Sequence, residues 1–261
     1  IGFYEILDQV VSNYETEKNK LMEKLQEVCS LLFQRQNLLV SVTGGREGYA
    51  ALRNMSDQIT DGLYADTEKE SIEISLPDQK NEGFKDASQI QYVSLAGNYA
   101  QSGFSYHGAM RVFKVIMNYE YLWQNIRVKG GAYGCSTNVG RNGDVCFLSY
   151  RDPNLERTLE VYRGVTDYLK EFELDERGMT RFVIGAFSEL DAPLTPMSQG
   201  RRSLLSYLTG VSYEMIQKER EQALHTCPQD IRNLAETMQA VLDHSYICAI
   251  GNEGKLQEEA D

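Results

Sequence analysis

Residues 127–134 read Arg127-Val128-Lys129-Gly130-Gly131-Ala132-Tyr133-Gly134. An apolar run precedes them, with Val112, Val115, Ile116, Tyr119, Leu122, Trp123 and Ile126 at three- and four-residue steps. That spacing predicts a helix over about 107–126. An alternating run follows and predicts a strand over 132–139. The two glycines between helix and strand are stop-and-turn chemistry. Arg127 therefore sits at a helix end, and Tyr133 one or two residues into a strand. Their side chains can present two strong donors to one point, which suits a peptide carbonyl or the oxyanion formed when it is attacked. The same residues have a plainer use. A basic residue in a last helical turn meets free carbonyls and the negative end of the dipole, and tyrosine is strand-prone. On spacing alone the plainer use is the stronger of the two.

Outward from this stretch, residues 90–96 read as a strand. Residues 145–150 pair with 132–139 across Gly140-Arg141-Asn142-Gly143, which is hairpin chemistry. Asp152-Pro153 reads as an N-cap with proline at the first helical position, opening a helix to about 172. Further helices are expected over 175–190, from Thr195-Pro196 to Gly210, and from Tyr213. Thr226 with Gln229 reads as a capping box for a helix to 243, and 246–250 as a last strand. Strands first and helices gathered after them predict an α+β fold, a mainly antiparallel sheet with helices packed on one face.

Nearer the start, residues 3–33 carry Leu21, Leu25, Val28 and Leu32 at helical spacing. Residues 38–43, Leu-Leu-Val-Ser-Val-Thr, are a short β-prone run, and 47–59 read as a helix. The stretch that follows is charged, holds Pro77, and alternates only at Ile72 and Ile74, as a surface loop with at most one short strand would. Helix, short strand, glycine and helix recur near residues 40 and 250, with the strands ending on Gly44 and Gly251.

The chain has 261 residues, 42% of them hydrophobic, enough for one large domain or two modest ones. Its net charge of −12 argues against nucleic acid and against anionic membrane surfaces as partners. No apolar run approaches the length of a membrane span, and no signal segment opens the chain. Both ends read as cut from something longer. The cysteines Cys29, Cys135, Cys146, Cys227 and Cys248 are odd in number and widely spaced, as expected for reduced thiols. The histidines, His107, His225 and His244, have no second histidine within a helical turn, and no Cys-x-x-Cys occurs. All three read as structural. Glu189 and Asp191 read as a solvated helix end, and Trp123 with Tyr119 and Tyr121 as a core aromatic cluster.

The stretch 127–134 resembles the C-terminal-half signature of the insulinase-like (inverzincin, or pitrilysin-type) zinc metalloproteases. The likeness is closest to the presequence-protease branch, whose members carry Arg-x-Lys-Gly-Gly-Ala-Tyr-Gly. It extends to residues 90–98, 135–152 and 190–193, and covers most of the chain. The resemblance implies that each half of the parent holds two copies of one α+β domain. Residues 1–63 are then the C-terminal part of the preceding copy, 64–86 a linker, and 87–261 the last copy. It further implies that Arg127 and Tyr133 are catalytic, contacting substrate and transition state. Lys129, Gly130 and Gly131 complete the substrate-binding stretch, the lysine adding only local positive charge. The zinc motif His-x-x-Glu-His is missing, so this chain should hold no metal, and the zinc belongs to the N-terminal half. The implied function is the substrate-binding half of a zinc metalloendopeptidase that degrades short unfolded peptides. That half alone should be inactive, with peptide and the N-terminal half of the same polypeptide as partners. Its implied place is the cytoplasm, or an organelle matrix in a eukaryote. The other reading is a non-catalytic paralogue that serves as a scaffold or peptide-binding subunit.

Overall fold

The structure, a computed structural model, describes residues 2–68 and 81–258. Along the chain run α1 (Gly2–Ser12), α2 (Tyr14–Leu32), α3 (Arg46–Asp61), β1 (Asn81–Asp86), β2 (Gln91–Asn98) and α4 (Ala109–Ile116). Then come β3 (Gly134–Val139), β4 (Asp144–Asp152), α5 (Glu156–Arg163), α6 (Val165–Lys170), α7 (Glu176–Leu190) and α8 (Pro196–Leu208). The chain closes with α9 (Tyr213–Leu224), α10 (Pro228–Asp243), β5 (Tyr246–Asn252) and α11 (Glu253–Glu258). These elements divide into two compact units, residues 2–68 with 194–208, and residues 81–193 with 209–258.

The first unit has almost no interior of its own. The helix expected over 3–33 is two, broken between Ser12 and Tyr14. The β-prone run 38–43 carries no regular structure. Leu25, Val28 and Leu32 of α2, and Leu39 and Val40 after it, are about half exposed or more. Among this unit's described residues Gln34 alone is buried. Its amide donates to the Ser30 carbonyl at 2.9 Å and to Thr67 Oγ1 at 2.8 Å, and its Oε1 accepts the Thr67 N–H at 3.3 Å. One buried glutamine thus ties the end of α2 to the segment after α3. A β-prone run without neighbouring strands gains no cross-strand contacts, so propensity alone leaves it irregular.

The second unit is built on a sheet of order β1-β5-β2-β4-β3, antiparallel except where β1 meets β5. Strand alternation splits its two faces. Val93, Leu95, Val145, Phe147 and Ala249 point into the helices and are buried. Against them pack Phe113 and Ile116 of α4, Tyr162 of α5, Leu169 of α6, and Met238 and Val241 of α10. Phe147 stacks on Tyr162 at 5.5 Å between centroids, and the Tyr162 hydroxyl donates to the Val93 carbonyl at 3.3 Å. Each large apolar side chain buried this way contributes about 1.5–3 kcal/mol. On the opposite face Tyr92, Leu148, Tyr150, Tyr246 and Ile250 keep 40–44% of their surface exposed. Among the described residues of this unit, helices therefore cover one face, in line with the α+β expectation.

Four boundaries differ from the sequence reading, each for a physical reason. Residues 81–86, within the expected linker, form edge strand β1, paired parallel with β5. Asn-Glu-Gly-Phe-Lys-Asp has one apolar residue, so this strand is recruited by its neighbour and not by its own propensity. The alternation at Ile72 and Ile74 lies outside the described residues. Asp152 ends β4 and caps no adjacent helix. It is buried, its carboxylate accepts the Asn154 N–H at 2.9 Å and the Thr158 hydroxyl at 2.7 Å, and α5 begins only at Glu156. At α10 the Asp230 carboxylate accepts the Cys227 N–H at 2.8 Å, one residue beyond the expected Thr226–Gln229 box. The Thr226 hydroxyl turns back instead to the Gln222 carbonyl at 2.9 Å. Finally, the helix expected over 107–126 is α-helical only to Ile116, and continues as π-helical turns over Met117–Tyr121 and Trp123–Val128.

The hairpin between β3 and β4 is pinned at its tip. Arg141 donates twice to Glu219 of α9, Nε to Oε1 at 2.7 Å and Nη2 to Oε2 at 2.6 Å. Arg111 adds a contact at 3.4 Å, and the Tyr106 ring lies under both guanidiniums at 5.7 and 6.0 Å. Glu219 is buried, so removing its carboxylate strands two cations in a partly desolvated place. Glu219→Ala is expected to lower the unfolding free energy by about 3 kcal/mol, read from the urea midpoint. A loss below about 1 kcal/mol would mean that the bridge behaves as a surface pair.

Candidate functional site

The π-helical turns decide how the helix delivers its last residues. The Lys129 N–H reaches the Gln124 carbonyl at 3.0 Å, a five-residue step. Wide turns of this kind are uncommon and gather at functional sites. Asn118 in the first of them holds the edge strand β3. Its Oδ1 accepts the Thr137 N–H at 2.6 Å and its Nδ2 donates to the Thr137 carbonyl at 3.3 Å. The outer edge of β3 is thereby satisfied at this residue by a side chain, one way to block pairing with another strand.

The helix then stops within two residues. The Gly131 N–H bonds the Arg127 carbonyl at 3.0 Å, and the Ala132 N–H bonds the Ile126 carbonyl at 3.1 Å. Gly131 has φ +82°, in the left-handed region that favours glycine. A Cβ on Gly130 would stand 2.4 Å from the Ile126 carbonyl oxygen. Both glycines are thus demanded by the chain's own turn, whatever else they serve. The Gly130 carbonyl is held by the Asn154 amide at 2.7 Å, and Asn154 is held in turn by the buried Asp152. Asp152, Asn154 and Thr158 are parts of the site that the sequence reading missed. The Asp152-Pro153 pair drew attention as a cap, and its link to a turn more than twenty residues earlier left no local signal.

This turn brings Arg127 and Tyr133 together. The Arg127 guanidinium carbon lies 5.5 Å from the centre of the Tyr133 ring. The Arg127 guanidinium carbon also lies 4.6 Å from the centre of the Trp123 indole. Tyr133 immediately precedes β3, its N–H bonds the Arg151 carbonyl at 3.3 Å, and 63% of the residue is exposed. Among the described residues no carboxylate pairs with Arg127. Lys129 is exposed and reaches Asn125 Oδ1 at 3.3 Å. Trp123 and Tyr119 were expected in the core, but 39% and 69% of their surfaces are exposed. Only Tyr121 of that cluster packs inward, on Tyr168 at 4.6 Å, with its hydroxyl donating to the Val161 carbonyl at 2.8 Å.

The other candidates are structural. The Ala109 N–H donates to His107 Nδ1 at 3.2 Å, His225 sits 2.9 Å from the Glu221 carbonyl, and His244 closes α10. Glu189 meets Lys114, and Asp191 takes both arms of Arg220 at 2.6 and 3.2 Å. Among the described residues no group of three or more His, Cys, Asp or Glu side chains is placed to hold a metal ion. The described residues therefore do not supply a zinc site.

Cys135 lies two residues past Tyr133, and burial pushes its thiol up to about 11 despite the pull of nearby Arg127. With so high a value only about a thousandth of it is thiolate at pH 8. Iodoacetamide at pH 8 is expected to label exposed Cys227 first and Cys135 at least a hundred-fold more slowly, by peptide mass mapping. The Cys135 rate should climb as pH rises toward the folded-state value. Labelling of Cys135 as fast as Cys227 would contradict that environment.

The model of the PreP C-terminal domain matches residues 81–253. Over its whole length the chain is 36% identical to Protein HypA of Clostridium perfringens, covering 27% of that protein. It is 29% identical to Presequence protease 1, chloroplastic/mitochondrial, of Arabidopsis thaliana, over 97% of this chain and 24% of the relative. The chain thus spans about a quarter of the length of these curated relatives. Among solved structures, a protease from Helicobacter pylori superposes with a TM-score of 0.57 at 14% identity, over 87% of this chain and 58% of the other. An inactive peptidase M16 domain from Pseudomonas fluorescens gives 0.54 at 14% identity, over 78% and 51%. At such identity these two speak for the fold alone. Family model and relatives agree with the motif at 127–134: the chain belongs to the presequence-protease C-terminal domains of the insulinase-like metalloproteases.

Proposed function

We propose that this chain is the substrate-side half of a zinc metalloendopeptidase acting on short unfolded peptides, with Arg127 and Tyr133 as its transition-state donors. The observation that carries this reading is the pair itself. A guanidinium without a carboxylate partner among the described residues and an exposed phenol lie side by side, 5.5 Å from carbon to ring centre, at a turn that permits no other residue than glycine at 131 without strain. An arginine kept free of its usual partners has its fork of N–H groups available for a ligand's oxygens. Negative charge grows on a peptide carbonyl oxygen as the carbonyl is attacked. Donors fixed there stabilise the transition state more than the ground state. Arg127 would also hold the substrate backbone before reaction, with Lys129 adding positive charge and Gly130 and Gly131 keeping the approach free of side chains. Zinc, held by the N-terminal half, would supply the Lewis-acid chemistry.

The N-terminal half is also the proposed partner of the first unit, whose apolar residues from Leu25 to Val40 are left exposed. All five cysteines are free thiols, which fits a reducing compartment, the cytoplasm or an organelle matrix.

In the polypeptide that joins this chain to its zinc-bearing half, Tyr133→Phe should lower kcat with little change in KM. The expected cost is about 2.7–4 kcal/mol in the barrier, as for removal of one oxyanion donor. Arg127→Ala should impair both kcat and KM. Steady-state kinetics on an unfolded peptide decide it. An unchanged kcat for Tyr133→Phe would reduce the tyrosine to a packing residue and leave the scaffold or peptide-binding paralogue as the better reading.

A further inference from the structure

The donor pair does not stand alone. Trp123, Arg127, Tyr133, Tyr150 and Tyr92 form a continuous ladder at the start of β3 and on the open face of the sheet. The Trp123 and Tyr133 ring centres lie 4.6 and 5.5 Å from the guanidinium carbon. Tyr133 meets Tyr150 edge to face at 5.6 Å and 72°, and Tyr150 meets Tyr92 at 5.4 Å and 70°. Every ring in the ladder is at least 39% exposed. A purely structural aromatic cluster would gain more by burial, so packing does not account for this one. A cation over ring faces is held by the ring quadrupoles without spending its N–H donors, which lie in the guanidinium plane. A carboxylate partner would hold it equally well but would occupy those donors.

We infer that Trp123 and Tyr150 are positioning residues: the indole holds the Arg127 guanidinium, and the Tyr150 ring holds the Tyr133 phenol, so that both present free donors to one ligand oxygen. The inference rests on the function proposed for the pair, and adds the groups through which it is set. Trp123 itself keeps 39% of its surface exposed. Its neighbours Leu122 and Ile126 already supply the buried contacts of this helical segment. Tyr150 lies opposite Gly134 in the β3–β4 register.

The test compares Trp123→Leu, which keeps an apolar side chain without ring or quadrupole, with Trp123→Phe, which keeps a ring. In the 261-residue chain, labelled with nitrogen-15, the Arg127 Nε–Hε group should be rigid and shifted upfield by the rings. Trp123→Phe should keep most of both effects, and Trp123→Leu should lose both at an unchanged melting temperature. Equal mobility of this group in the wild-type chain and in Trp123→Leu would overturn the inference. In the polypeptide carrying the zinc-bearing half, Trp123→Leu should lower kcat/KM about five-fold, the size of one exposed cation–π contact, and Trp123→Phe should recover most of it. Equal losses in the two variants, each with wild-type melting, would overturn it as well. If Arg127→Ala itself leaves turnover intact, the proposed function fails instead, and the mobility comparison still decides whether the rings hold the arginine.

Discussion

The second unit turns on a constraint of less than an ångström. Between Ile126 and Ala132 the chain leaves a helix and enters a sheet with no room for a side chain at residue 130, where a Cβ would sit 2.4 Å from a carbonyl oxygen. The carbonyl of that residue is fixed from outside by Asn154, and Asn154 by a buried aspartate. A turn so confined has one conformation. Arg127 on one side of it and Tyr133 on the other are therefore neighbours by construction, without a bond between them. The role proposed for this pair calls for such fixity, since donors to a transient charge lose least when nothing has to move at the moment of reaction. The widened helical turns before it serve the same end, because they carry the helix to the glycines while Asn118 secures the strand alongside.

The sheet supplies the other half of the design. One face is consumed by packing, with Phe147 on Tyr162 and α10 across β2, and this face provides the stability. The second face is unburdened by the core and is free to carry aromatic rings in the open. Tyrosine suits that face. It is strand-prone, its ring binds other rings and cations, and its hydroxyl tolerates water. The site sits where these two uses of one sheet meet, at the first residue before an edge strand whose backbone is already satisfied at Thr137.

Much of this was legible from the order of residues. Alternation in 132–139 and 145–150 marked β3 and β4, the glycine-flanked turn at 140–143 marked their hairpin, and Asp175 marked the start of α7, where its side chain accepts the Gly178 N–H at 2.8 Å. Arg127 and Tyr133 stood out because helix end, turn and strand start each have a local pattern. What stayed hidden depends on distant partners. β1 has no apolar period and exists because β5 offers it a free edge. Asp152 resembles a cap, but it holds Asn154, whose amide reaches the distant Gly130 carbonyl. Trp123 and Tyr119 follow the spacing of a buried stripe, and spacing cannot tell a core from an exposed aromatic surface. The stripe on α2 marked a helix correctly, but periodicity shows which side of a helix is apolar and not whether anything covers it.

The discontinuity of the two units bears on the order in which the chain folds. Helix α8 belongs with residues 2–68, yet it is reached only after β1 to β4 and α4 to α7, with β5 still to come. If the first unit formed in an otherwise unfolded chain, it would have to close a loop of about 125 residues, at an entropic cost of about 4 kcal/mol plus a constant. The small interior around Gln34 offers little return for that. Once the sheet unit has formed, the intervening chain is already condensed, and α8 leaves and re-enters it at fixed points on either side of a short excursion. The entropic cost of closing that loop therefore falls when the unit that carries Arg127 and Tyr133 forms first.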